Sequence, residues 1–273
     1  MPPARLSRAS RLEPWALAAI VAATRIPFFA RTLFEFDSVN FAVALFRYDL
    51  SQDTPHLPGY VLHVGIAKLL YLLVGDANLS YVLESFFLSI GSVLFVWWGV
   101  RSVTDGRVAF YSALVWSLNP IFWFQSCVAA AYGHEAFFTA AFAAYAVRYA
   151  ANAEQERARL FYPVTLAIII GVAGAARQTS VMFLAPAFVV ALRAMRAPRR
   201  VWLIASGVAL GLTAIWVAVL LSLAGGLDRY LELTHYVHVV QYNSIFLHGT
   251  LTRHLDMIGK MLLFLVIGTA PFS

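Results

Sequence analysis

Apolar runs near the length that crosses about 30 Å of hydrocarbon, roughly 20 residues each, fill most of this chain. They fall at 15–31, 79–100, 108–127, 135–150, 160–176, 179–194, 201–224 and from 259 to the end. So many cannot be hidden in one soluble core. Covering them needs polar surface, yet 12% of residues are charged against 61% hydrophobic, where a soluble domain has about a quarter charged. Aromatics at 15% suit interfacial belts, where amphipathic rings settle at headgroup level. The fold expected is an all-α membrane protein, a polytopic bundle of about eight transmembrane helices forming one domain over 1–273.

The basic residues orient that bundle. Arg5, Arg8 and Arg11 precede the first run in the layout of a signal anchor. No small-residue cleavage site follows, and Arg25 and Pro27 interrupt the run. The stretch 58–74 is apolar but short, and it carries Gly59, His63, Gly65 and Lys68. If it lies in the interface, Arg101/Arg107, Arg148/Arg157/Arg159 and Arg193/Arg196/Arg199/Arg200 join the N-terminus on one side. If it crosses, all three clusters move to the other. Cytoplasmic loops carry the Lys and Arg excess, so 58–74 is read as a juxtamembrane helix on the outer face. The outer regions are then a first loop over 32–78, a turn near 129–134, and a long loop over 225–258. The net charge of +6 comes from these bursts, which span orientation explains better than nucleic-acid binding. The lone Cys127 allows no intrachain disulfide. The last run ends at Ser273, as in a short or truncated chain.

Ionisable groups beside a bilayer are the first candidates for function. Asp37 follows the first run amid Phe34, Phe36 and Phe41, a setting in which a carboxylate can take a proton from a hydroxyl. On the local sequence alone a helix N-cap is the favoured account of Asp37 and Ser38. Pro55-His56-Leu57-Pro58-Gly59-Tyr60 is a stiff turn that would hold His56 against a phosphate or a sugar hydroxyl, or is simply a helix entry. Tyr132 and Glu135 open the fourth run, where an acid also suits the helix dipole. Arg177, ending a run on the outer side, fits either an anion or carboxylate partner or snorkelling to headgroups. His235 and His238 stand at i, i+3, but the histidine spacings in the last outer loop match no zinc signature. No cofactor is expected, with a divalent metal as the less favoured alternative.

The order of these features resembles the GT-C class of polytopic glycosyltransferases, in particular the bacterial members of glycosyltransferase family 39 related to protein O-mannosyltransferases and to the lipid A aminoarabinose transferase. The resemblance rests on the arginine-rich start, Phe36-Asp37-Ser38 with Asn40-Phe41-Ala42, and the turn Pro55 to Tyr60. Asn119-Pro120, Tyr132 with Glu135, and Arg177-Gln178-Thr179-Ser180 continue it. It implies a polyprenyl-phosphate sugar donor, a protein, lipid or glycan acceptor, and a site on the outer, periplasmic face of the cell inner membrane. Asp37 would be the catalytic base. Arg177, His56, Tyr132 and Glu135 would bind the donor and its phosphate, and His235, His238 and Tyr242 would lie on a substrate loop.

Two other classes compete with an inverting transferase. One is a lipid or amphiphile transporter or flippase, which places ionisable residues near the midplane; here the runs read as nearly charge-free and the charges gather in outer loops. The other is a truncated, inactive paralogue whose fold serves binding.

Overall fold

The computed structural model describes residues 8–152 and 159–237, with scattered positions from 252 to 263. The helices are α1 (Arg8–Arg25), α2 (Phe36–Ala44), α3 (Val61–Val74), α4 (Ala77–Val100), α5 (Gly106–Leu118) and α6 (Pro120–Gln125). They continue with α7 (Tyr132–Ala151), α8 (Phe161–Ala176), α9 (Thr179–Ala194), α10 (Arg199–Ala224) and α11 (Leu227–Val237). No β-strand occurs among the described residues; Asp49 and Thr54 form a lone bridge.

Local chemistry sets the boundaries. Asp76 caps α4 by accepting from Leu79 N–H at 2.7 Å, and Asp105 caps α5 by accepting from the N–H groups of Arg107 and Val108. Such caps satisfy amide groups that the first turn leaves unpaired. Asn119 accepts from Phe122 N–H at 3.0 Å, and Pro120 begins a new helix. The run read as continuous over 108–127 is therefore broken, because proline cannot donate into the preceding turns. The first run likewise ends its α-helix at Arg25 rather than near 31. There the buried guanidinium is held by Ser126 Oγ and Ser117 Oγ, each at 3.2 Å.

Helices α4 and α7 form the centre, with α1 and α5 on one side and α8, α9 and α10 on the other. Small residues let the central pair approach closely: a Cβ on Gly99 would stand 2.8 Å from Ala144 Cα. One apolar cluster joins α7, α8 and α9 through Phe138, Leu166, Leu184 and Phe188. Another joins α1, α4 and α5 through Leu17, Val93 and Ala113.

The two ends of the bundle differ. At one, Glu13 on α1 accepts from Trp97 Nε1 at 3.0 Å and pairs with Arg101 at 3.4 Å, and Arg148 lies 4.1 Å over the Trp98 ring. At the other, Asn78 Nδ2 donates to the Ala30 carbonyl. Helix α1 thus runs antiparallel to α4, and everything between them starts and finishes at the same end. That end carries α2 and α3, with Phe41, Tyr60, Val64 and Tyr81 in a third cluster. Helix α3 has 14 residues, about 21 Å at 1.5 Å per residue, and Leu69, Leu72 and Leu73 are exposed along it.

Among the described residues two helices are long and apolar enough to cross a membrane, α4 with 24 residues and α10 with 26. Helices α8 and α9 have 16 residues each, about 24 Å. Only 11% of the apolar stretch of α10 is buried in the bundle, which leaves Leu203, Leu210 and Ile215 facing outward.

Candidate active site

The end of the bundle that holds α2 and α3 gathers the polar residues of distant segments. Glu35 starts α2, its N–H meeting Ser38 Oγ at 3.4 Å, while Ser38 Oγ donates to the Ala129 carbonyl at 2.6 Å. Asp37 is therefore in the first turn, not the cap, where the helix dipole favours its negative charge. Its side chain is half exposed. Phe34 and Phe36 turn outward, and only Phe41 is buried beside it. The apolar enclosure read from the three phenylalanines is thus supplied by one ring.

The turn before α3 contains cis peptides at Thr54–Pro55 and Leu57–Pro58. Gly59 has φ +113°, and a Cβ there would stand 2.5 Å from Leu220 Cδ1 and 2.9 Å from the Tyr48 hydroxyl. Glycine is required for both backbone and space. Tyr48 O–H donates to the Gly59 carbonyl, and Gln178 Nε2 donates to the Pro58 carbonyl at 3.2 Å. Held from both sides, the turn presents His56 Nε2 3.2 Å from Tyr60 Oη and 3.8 Å from Asp37 Oδ2.

Burial lowers the His56 imidazole below its ordinary range, opposed by Asp37 and Asp53 and reinforced by Arg177. Burial pushes the Tyr60 phenol up to about 12, with Arg177 pulling the other way. The pair at neutral pH is a neutral imidazole and a protonated phenol, so Tyr60 O–H can donate to Nε2.

Across from them, Arg177 stands between α8 and α9. Its Nε and Nη1 lie 3.3 Å from the two oxygens of Glu135, and its guanidinium carbon lies 4.3 Å from the Tyr132 ring centroid. Thr179 Oγ1 donates to Glu135 Oε1 at 2.6 Å. Glu135 thereby positions the arginine rather than facing an anion itself, since like charges repel. Asp37, Phe41, Tyr60, Tyr132, Arg177 and the chain at 129–131 line a tight cleft with a cavity volume of about 10 Å³. A carboxylate and a guanidinium thus line one small pocket.

Asp37, His56, Tyr132, Glu135 and Arg177 are thus brought together. His235 is on α11, exposed and without a contact to that pocket; His238 and Tyr242 lie outside the described residues. Sequence reasoning named Tyr60, Gln178 and Thr179 within their motifs but gave them no role, because they act through contacts that no spacing announces.

It also passed over a cluster beneath the pocket. His63 on α3, Glu84 on α4 and His134 on α7 are each 2% exposed or less. The run 79–100 is accordingly not free of charge. A lone acid in such a run is a signal in its own right, but its partners come from two other helices.

The family model for the protein O-mannosyl-transferase TMEM260 N-terminal domain matches residues 41–200, more than half of the chain. This chain belongs to that family. No curated protein and no solved structure matches it. The TMEM260 N-terminal domain family is one of glycosyltransferases, which agrees with the GT-C-like order of features, and with α4 and α10 it makes this a membrane protein. The matched region contains the turn Pro55 to Tyr60, Tyr132, Glu135 and Arg177, while Asp37 lies four residues ahead of its start.

Proposed function

We propose that the protein is an inverting glycosyltransferase that moves a sugar from a polyprenyl-phosphate donor to an acceptor hydroxyl at the outer face of the cell inner membrane. Asp37 takes the proton of the acceptor hydroxyl as its oxygen attacks the anomeric carbon. The bond from that carbon to the phosphate oxygen breaks, and the lipid phosphate departs with the electron pair. Arg177, held by Glu135 and Tyr132, faces the charge that develops there. The neutral His56–Tyr60 pair offers hydrogen bonds to the sugar. The acceptor is a protein hydroxyl by the family's name, with lipid and glycan hydroxyls as further candidates.

The membrane-crossing bundle has about eight spans in this reading, with α3 resting on the surface. Arg101, Arg148 and the cluster from Arg193 to Arg200 face the cytoplasm, because positive charge is retained there. The pocket then faces outward.

The observation that carries the reading is one pocket lined by Asp37 and Arg177 in a chain of an O-mannosyltransferase family. Asp37→Asn is the direct test. Transfer from a polyprenyl-phosphate mannose donor to a peptide hydroxyl should fall about 10²- to 10⁴-fold, the usual worth of a general base. Expression and membrane insertion should be normal. Undiminished transfer by this variant rules out Asp37 as the base.

A further inference from the structure

We infer that His63, Glu84 and His134 form a buried site for a divalent transition-metal ion, of the zinc class, which fastens α3 and α7 to α4 beneath the pocket. The inference does not rest on the proposed transferase activity. Each residue offers one ligand atom, and these atoms lie within 4.8 Å of one another. His63 Nδ1 is 2.9 Å from Glu84 Oε2, and His134 Nε2 is 3.0 Å from Glu84 Oε1. All six polar atoms are buried; four of them meet across these two contacts on Glu84, whereas His63 Nε2 and His134 Nδ1 have no partner among the described residues.

Two buried imidazole nitrogens without a partner, beside a buried carboxylate met only by the other two, are groups that call for a water or an ion. A buried carboxylate also needs positive charge beside it. No lysine or arginine forms an ion pair with Glu84 among the described residues; only the two imidazoles reach it.

A divalent cation meets both needs at once. Two imidazole nitrogens and a carboxylate oxygen suit zinc and its neighbours, whereas magnesium and calcium prefer oxygen alone. With bonds of about 2.1 Å, tetrahedral ligands stand about 3.4 Å apart. The two Glu84–imidazole contacts, at 2.9 and 3.0 Å, must therefore open by a few tenths of an ångström to admit the ion, and a water molecule completes the shell. The rings have packed surroundings that would hold them in place: Phe41 is 4.6 Å and Tyr81 4.7 Å from His63, and Phe138 is stacked 6.3 Å from His134, centroid to centroid. Phe41 also lines the pocket above.

The test is metal content. The full chain is purified in detergent through a tag that contains no histidine, without chelator, and measured by plasma mass spectrometry. About one equivalent of a zinc-class metal per chain is expected, falling below about one-tenth in Glu84→Gln and in His134→Ala. His134→Cys keeps a ligand and should retain the metal. After stripping with chelator, added zinc should raise the melting temperature of the wild type and of His134→Cys, but not of Glu84→Gln. Wild-type protein that holds less than about one-tenth of an equivalent and gains no stability from zinc overturns the inference. So does a Glu84→Gln variant that binds the metal as well as the wild type.

Discussion

Replacing Arg177 by glutamine removes the guanidinium that lines the pocket, and the structure separates what this does to the fold from what it does to the reaction. The Arg177–Glu135 contacts are 3.3 Å, longer than the 2.7–2.9 Å of strong charge-assisted bonds. With Glu135 one-third exposed, solvent screening leaves the pair worth about 1 kcal/mol or less. The stack on Tyr132 at 4.3 Å adds about 0.5–1 kcal/mol. Glu135 keeps its bond from Thr179, so it is not left unpaired. A loss of about 1–2 kcal/mol lowers the melting temperature by a few degrees in a chain of this size. For the reaction, loss of a preorganised donor to a leaving phosphate costs about 10²- to 10³-fold in kcat, or about 3–4 kcal/mol. Arg177→Lys keeps the charge but not the planar fork or the stack, and should fall between. Initial rates with a lipid-linked sugar donor and a peptide acceptor, beside thermal melts in the same detergent, measure both effects. If Arg177→Gln melts a few degrees lower yet turns over within about threefold of wild type, Arg177 is a strut between helices and the anion site lies elsewhere.

The His56 pair predicts a pH dependence. Its native pKa is lowered from 6.5, so the unfolded chain takes up this proton before the native one does. Stability from this group is complete above about pH 6.5 and is lost as the pH falls toward the lowered native value. His56→Gln should flatten melting temperature against pH in that window; an unchanged slope would show that other groups set it. Topology is open to cysteine labelling in a Cys127→Ala background, since Cys127 is itself buried. Cysteines placed at Asp76 and Arg101 should react from opposite sides of the membrane, Asp76 from outside and Arg101 from inside, and reaction of Arg101 from outside would remove the interfacial assignment of α3.

Much of the helical order is legible in the sequence because runs of apolar side chains force backbone groups to pair locally. The runs at 79–100, 160–176, 179–194 and 201–224 match α4, α8, α9 and α10 to within a few residues. The interfacial reading of 58–74 rests on arginine placement alone; the fold adds that α3 packs on α4 and shares an apolar cluster with α2. Run lengths were less reliable, because Asn119-Pro120 and the Arg25 clamp end helices that hydropathy continues. The site was legible by residue type and not by contact. Asp37, His56, Tyr132, Glu135 and Arg177 stood out as polar groups in an apolar chain, but nothing in their spacing says that Phe34 and Phe36 face away from Asp37 or that Glu135 holds Arg177.

The sequence by itself determined an all-helical membrane chain, the positions of its longest helices and the end at which its arginines collect. Each follows from local energetics, the length of an apolar run and the sign of its flanks. The tertiary structure decided which polar groups meet. Gln178 reaches the turn 120 residues before it, Arg177 reaches an acid 42 residues away, and His63, Glu84 and His134 converge from three helices. Helical periodicity assigns a residue to a face, but only the packing of that face against another helix chooses its partner.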